Sequence, residues 1–168
     1  MAPTTTRVKR NTLIWLVLLG VVLGLAATFL LRSRQVKVVW LLFTKHCPRC
    51  DLRGVRLFGA NLQSANLQAA DLREATLSEA DLSQANLSSA VLTNSNLTLT
   101  NLTAANLTSA TLTNADLSGA TLTTANFQNA NLQRARLMFA DLEHANLTGA
   151  NLQSAQLDGA SLFGTFIK

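Results

Sequence analysis

The sequence predicts an all-β solenoid that follows a single transmembrane α-helix. Three observations predict it: a five-residue repeat from residue 50 onward, a charge-free apolar run at residues 13–31, and a hydrophobic content made mostly of Leu and Ala. Only 5% of the 168 residues are aromatic, and Tyr is absent. A globular enzyme core usually interlocks large side chains of several shapes. The composition therefore indicates a repetitive core.

The repeat keeps one register without insertion or deletion. Leu recurs at every fifth position from Leu52 to Leu162, twenty-three positions in all, and only Phe127 replaces it. Ala stands two residues earlier in nineteen of these repeats. The four exceptions at the Ala position are Cys50, Val55, Ser95 and Thr100.

A period of five fits neither an α-helix nor a long strand. Five residues carry a helix about 140° past a full turn, which would spread the Leu residues around its surface. In a strand the side-chain period is two, so successive Leu residues would alternate between faces. A short extended segment that ends in a corner fits the pattern, because Ala at the first position and Leu at the third then both point inward. Repetition of this unit closes a square coil.

The motif A-(D/N)-L-x-x, present here as ANLQS, ADLRE and ANLTG, resembles the pentapeptide-repeat family. The resemblance covers residues 50–168 and implies a right-handed quadrilateral β-helix with four repeats per coil. Nearly six coils, stacked at about 4.8 Å, would make a solenoid roughly 28 Å long. Side chains twenty residues apart would then stack, and the amides of one Asn column are expected to hydrogen-bond along the axis. That column is Asn66, Asn86, Asn106, Asn126 and Asn146.

Residues 13–31, LIWLVLLGVVLGLAATFLL, form the predicted transmembrane helix, and residues 1–12 form a basic tail before it. Nineteen residues span roughly 29 Å as a helix, close to the ~30 Å hydrocarbon core of a bilayer. Arg10 and Arg32 bracket the run. A cleaved signal peptide is the alternative, with a cleavage site near Gly24–Ala26. The apolar run continues to Leu31, which favours an uncleaved, single-pass anchor.

The anchor leaves two questions open. Gly20 and Gly24 form a G-x-x-x-G, which lets two helices approach closely and makes a homo-oligomer an alternative to a monomer. Three basic residues precede the span and four follow it within the counting window of the positive-inside rule. The sequence therefore assigns no side of the membrane to the solenoid.

Residues 32–49 are predicted to link the anchor to the solenoid and to cap its first coil. The segment at 36–44, VKVVWLLFT, is apolar, rich in β-forming residues and too short to span a membrane. The stretch LLFTKHCPRCDLRGVRLFGANL resembles the segment that leads into the first coil of a subset of bacterial, notably cyanobacterial, pentapeptide-repeat proteins. At the other end, Phe163, Phe166 and Ile167 are expected to close the last coil.

Cys47 and Cys50, in the sequence C-P-R-C, form the one motif that suggests chemistry. Both fall at inward positions of the repeat, which favours structural packing in the cap, with or without a disulfide. Redox activity is an alternative, although it needs an accessible, low-pKa thiol and no βαβ pattern surrounds the motif. Metal or cofactor attachment is a third, but zinc needs four ligands and c-type haem needs C-x-x-C-H, whereas residue 51 is Asp.

No catalytic, cofactor-binding or metal-binding residues are predicted, since no nucleophile–base pair, carboxylate pair or phosphate loop is visible. A solenoid filled with Leu and Ala leaves no concave site for a substrate. The sequence favours a non-enzymatic, membrane-anchored scaffold or protein-interaction module, and it does not identify the protein partner. A contact patch is predicted around the outward corner positions of Met138 and Phe139, flanked by Arg134, Arg136 and His144; the alternative is two isolated apolar side chains of the kind that surfaces commonly tolerate. The members of the patch are Arg134, Arg136, Met138 and Phe139.

Nucleic acid is not a predicted partner. The net charge of +5 is uneven: residues 1–49 carry eight basic and no acidic side chains, whereas residues 50–168 carry six basic and nine acidic ones. The repeats therefore lack the basic face that nucleic-acid binding requires. Some pentapeptide-repeat proteins mimic DNA and protect a topoisomerase, which is a further alternative. The repeats' net charge of −3 is weak for such mimicry.

Overall fold

The computed structural model of this protein describes residues 34–167. The described part contains one helix, α1 (Arg34–Thr44), followed by isolated parallel β-bridges instead of long strands. Every bridge joins residues twenty positions apart, from His46–Asn66 at one end to Asn146–Phe166 at the other. The predicted coil of four five-residue repeats is confirmed.

The backbone of each repeat bonds to the coil on either side, as the repeat at residues 105–109 illustrates. The N–H of Asn106 donates to the carbonyl of Ala85 in the preceding coil, at 2.9 Å. The N–H of Leu107 donates to the carbonyl of Asn126 in the following coil, at 2.7 Å. Stacked coils are therefore held by the hydrogen bonds of a parallel sheet on all four sides.

The last two residues of each repeat form the corner. The N–H of Ala110 donates to the carbonyl of Leu107 at 3.0 Å, which closes a four-residue turn. Ser109, the third residue of that turn, has a φ of +57°. A positive φ is what a type II turn requires at this position. The corner resets the side-chain phase, so the next Ala and Leu again point inward.

Asn or Asp at the second position serves this corner. The Oδ1 of Asn106 accepts from the N–H of Thr108 at 3.0 Å and from its hydroxyl at 2.6 Å. The N–H at the fourth position thus has an acceptor within its own repeat, as it does at Gln68, Gln128 and Thr148. Within the described residues the amides of the Asn column do not hydrogen-bond to one another along the axis as expected, and each Oδ1 accepts from the N–H of the fourth position in its own repeat.

The interior is a filled column of Leu and Ala. Leu107 and Phe127 are fully buried, as are the other Leu positions from Leu62 to Leu142. Two exceptions at the Ala position bury a hydroxyl, and each donates it to a corner carbonyl. Ser95 bonds to the carbonyl of Leu92 at 2.7 Å, and Thr100 bonds to that of Leu77 at 3.0 Å.

The segment at 36–44 caps the first coil as part of α1, although its residues favour strands. Leu41 is fully buried in the core cluster, and Val38, three residues earlier, packs against the same cluster. That spacing suits one face of a helix, and tertiary packing overrides intrinsic propensity. α1 ends where Lys45 takes a φ of +56° and donates its N–H to the carbonyl of Leu41 at 2.8 Å. The coil then begins at His46, earlier than the expected boundary at residue 50.

The aromatic and aliphatic residues near residue 167 are exposed. Phe163, Phe166 and Ile167 are 70%, 63% and 54% exposed, so they do not close the last coil as expected.

No helix within residues 34–167 has the length and apolar character needed to cross a bilayer. The predicted span at residues 13–31 lies outside the described residues.

Candidate functional site

Cys47 and Cys50 stand at the two inward positions that flank the first corner. Cys47 takes the Leu position and is 3% exposed, whereas Cys50 takes the Ala position and is half-buried. A disulfide joins them, and their Cα atoms are 5.5 Å apart. The N–H of Cys50 donates to the carbonyl of Cys47, the same turn bond that closes the other corners. The corner itself therefore holds this pair of positions at the separation that a disulfide requires.

The surroundings of the disulfide favour a structural role. Thiol–disulfide exchange begins when a thiolate reaches a sulfur, and Cys47 is sealed beneath the cap while Cys50 is only partly accessible. Within residues 34–167 no group of three His, Cys, Asp or Glu side chains is placed to hold a metal. In the chain-entropy description so short a loop contributes about 2 kcal/mol, which would resist fraying of the first coil.

The disulfide predicts a defined labelling result. Protein isolated from its natural source without reductant should incorporate no maleimide at Cys47 or Cys50, even after unfolding, because neither sulfur is a free thiol. Unfolding in the presence of reductant before labelling should give two labels per chain, as read by mass spectrometry. Two labels without reductant would contradict the disulfide.

The four residues of the predicted contact patch fall on one coil. Arg134 is an exposed corner residue with a φ of +58°, and Arg136 is exposed on the side that follows. Met138 is half-buried, while Phe139 at the next corner is 74% exposed. Arg136 lies 3.9 Å from Asp116 of the preceding coil. His144 belongs to the corner after Phe139, where its ring meets Phe163 edge to face at 5.6 Å.

The corner of Phe139 contains a second large apolar side chain that the sequence reasoning missed. Leu99, 63% exposed, occupies the same corner two coils earlier. Leu99 and Phe139 each cover a glycine at the same corner of the following coil. A Cβ added to Gly119 would lie 2.8 Å from the Leu99 side chain, and one added to Gly159 would lie 2.5 Å from the Phe139 side chain. The sequence does contain a sign of this arrangement, because each of these two large corner residues is followed twenty residues later by Gly. The two side chains form an apolar ridge, named here the Leu99/Phe139 ridge.

Two aspartates of the first two coils lie beside arginine side chains. Arg73 donates to Asp71 at 2.6 Å, and Arg53 lies 2.9 Å from Asp51 and 3.6 Å from Asp71. The hydrogen bond from Arg73 holds the pKa of Asp71 below its usual value. These carboxylates sit beside guanidinium groups, so this end of the solenoid does not present a dense negative surface.

The comparison with known families follows from these coils. Residues 50–88, 85–123 and 125–164 match the family described as Pentapeptide repeats, with eight copies. The chain belongs to the pentapeptide-repeat family. Its right-handed β-helical fold, expected from the motif, is confirmed. No curated protein matches the chain significantly.

Several solved pentapeptide-repeat structures resemble this chain. A protein of the Arabidopsis thaliana thylakoid lumen is 31% identical, covers 53% of this chain and superposes with a TM-score of 0.52; the chain spans 62% of that protein's length. Rfr23 from the cyanobacterium Cyanothece 51142 is 32% identical over 81% of this chain and all of that one, with a TM-score of 0.38. QnrB1, a plasmid-mediated fluoroquinolone resistance protein, is 17% identical over 71% of this chain and 69% of its own, with a TM-score of 0.45.

Proposed function

We propose that this pentapeptide-repeat protein is a non-enzymatic interaction scaffold held at a membrane by residues 13–31. The filled interior carries the proposal. From Leu62 to Leu142 the inward positions are fully buried Leu and Phe, with small side chains between them. The chemical variety of the chain therefore stands at the three outward positions of each repeat, where a partner can read it.

The Leu99/Phe139 ridge is the surface best suited to such a partner. Its two apolar side chains are more than half exposed, and Arg136 and Asp116 lie on the adjacent side. Protein interfaces favour aromatic, Met and Arg side chains surrounded by a polar rim. A partner with an apolar groove and an acidic margin fits this arrangement.

A site-specific photocrosslinker tests the ridge. Placed at Phe139 in the native membrane, it should give a discrete product with a protein partner. The matched control is Ser109, which has the same φ of +57° and is exposed at the opposite corner of the solenoid. We expect at least a five-fold stronger product from position 139. Equal yields at the two positions would contradict a partner on the ridge.

The disulfide supports one side of the membrane for the solenoid. Disulfides persist in oxidising compartments and are rare where thiols are kept reduced. We therefore propose that the repeats lie on the oxidising side, with the basic tail at residues 1–12 on the other. The maleimide measurement above tests this placement, because a reducing compartment would leave both thiols free.

A thiol redox function is the second candidate, and the half-buried Cys50 is the observation that favours it. The redox function and the scaffold function predict different effects of one substitution. Cys50→Ser would abolish a redox activity and leave photocrosslinking at Phe139 unchanged. Association through Gly20 and Gly24 stays a proposal, since both residues lie outside the described part.

A further inference from the structure

The cap helix α1 is apolar on the side that faces away from the solenoid. Leu41 is fully buried against the core, yet Val39, Trp40 and Phe43 are 60%, 57% and 89% exposed. A helix that is hydrophobic all round is normally buried. Large exposed apolar patches on soluble surfaces mark binding sites for proteins or membranes. This outer face, formed by Val39, Trp40 and Phe43, is named here the cap face.

The position of the cap face follows from helix geometry. Residues four apart lie on the same side of a helix, so Val39 and Phe43 share a face. Both stand two residues from Leu41 in sequence, which puts them about 160° around the helix from it. Because Leu41 points into the first coil, the cap face points outward at the end of the solenoid. Phe58, 64% exposed on the first coil, adds a further apolar side chain at this end.

Most of the charges at this end of the molecule are basic. Lys37 and Lys45, both half-buried, stand on either side of the cap face in sequence, and the ammonium of Lys45 donates to the Oδ1 of Asn61 at 2.8 Å. Arg49 and Arg56 are exposed on the first coil. No acidic residue precedes Asp51 in the sequence. Basic side chains close to an anionic lipid surface are attracted to it electrostatically. An anionic surface with an apolar interior is the complement of this end of the protein.

The sequence before α1 restricts what can cover the cap face. The apolar run ends at Leu31, three positions before α1 begins at Arg34. Three residues span at most about 11 Å even when fully extended. If residues 13–31 cross the bilayer, α1 must therefore start within the headgroup region or next to it, where Trp and basic side chains are favoured.

We propose that the cap face lies in the headgroup region of a membrane containing anionic lipid, with Val39, Trp40 and Phe43 inserted below the phosphates. This inference rests on the proposed anchoring by residues 13–31. It gives the scaffold a fixed orientation, with the solenoid axis rising from the bilayer. Phe139 then stands about four coils, or roughly 20 Å, above the first coil, within reach of a partner in solution.

Two single-tryptophan variants of the full-length protein test the proposal separately from the anchor. The chain has two Trp and no Tyr, so Trp15→Phe leaves Trp40 as the reporter and Trp40→Phe leaves Trp15. Each variant is reconstituted into phosphatidylcholine vesicles containing phosphatidylglycerol. Emission maximum, quenching by lipids brominated near the headgroup, and quenching by aqueous iodide are then measured.

We expect Trp40 to emit at a shorter wavelength than a water-exposed indole and to be quenched by the brominated lipid. Its quenching constant for iodide should be at least three-fold lower than that of a water-exposed indole. Phe43→Asp in the Trp40-only protein should restore iodide quenching, and because Phe43 is exposed this change leaves the fold intact.

If Trp15 reports insertion while Trp40 stays open to iodide, the cap proposal fails and the anchor stands. Protection of Trp40 from iodide without lipid quenching means that protein covers the face, which also overturns the proposal. If Trp15 itself shows no contact with lipid, the anchor fails and the cap proposal with it.

Discussion

Leu107→Asp is expected to unfold the middle of the solenoid. Leu107 is fully buried in a column of inward side chains, between coils that bond to it on both sides. A carboxylate buried there without a partner costs several kcal/mol. Repeats contact only their neighbours, so one broken coil uncouples the two halves of the stack. We expect the melting temperature, followed by circular dichroism, to fall by more than about 10 °C.

The matched control for this variant is Ser109→Asp, two residues along the same repeat. Ser109 is exposed, and Asp accepts the positive φ of that corner more readily than most residues do. This variant should melt within about 2 °C of the natural protein. If the two Asp variants melt alike, position 107 does not face the core and the register of the coil is wrong.

The register of the repeats was predictable because an odd period admits few solutions. Leu at every fifth residue has no common face in a helix or a strand, and only a chain that turns a corner in each repeat can bury all of these side chains. The Ala before each Leu supported the same phase. Even the exceptions followed the rule, since Ser95 and Thr100 point inward and donate their hydroxyls to corner carbonyls.

Local hydrogen bonding in the corners was harder to predict. The Asn column suggested bonds between stacked amides, whereas Asn106 bonds to Thr108 in its own repeat. Both acceptor arrangements fit the spacing. Asn101 makes both bonds, since its Oδ1 accepts from the N–H of Thr103 and its Nδ2 donates to Asp81 twenty residues earlier, so the spacing alone does not reveal which bonds each Asn makes. The five-residue motif contains Asn or Asp at this position because its corner has an otherwise unsatisfied N–H.

The cap and the ridge needed the three-dimensional structure. The β-branched residues at 36–44 favour strands, and the pairing of Val38 and Leu41 against the first coil makes a helix the better cap. Leu99 looked like a corner residue of no importance, because its relation to Phe139 appears only when coils are stacked twenty residues apart. The open last coil was missed for a related reason. Phe163 and Ile167 occupy repeat positions, so they extend the coil and do not cover it.

The proposed attachment to a membrane is expected to depend on the apolar run at residues 13–31. Each Arg at the centre of a membrane helix costs about 2.5–3.5 kcal/mol of insertion free energy. The double variant Leu19→Arg/Val22→Arg should therefore lose most of its membrane fraction. A matched double variant, Arg7→Gln/Lys9→Gln, removes charge from the tail and leaves the run intact. It should stay in the membrane, since surface attraction alone is screened by salt.

Extraction of native membranes with alkaline carbonate after a high-salt wash tests the anchored scaffold most directly. The full-length protein should remain entirely in the membrane pellet, with an N-terminus that precedes residue 13. Recovery of the intact protein in the supernatant would contradict the account. So would a mature N-terminus near Ala27, because the apolar run would then be a removed signal and the solenoid would have no anchor.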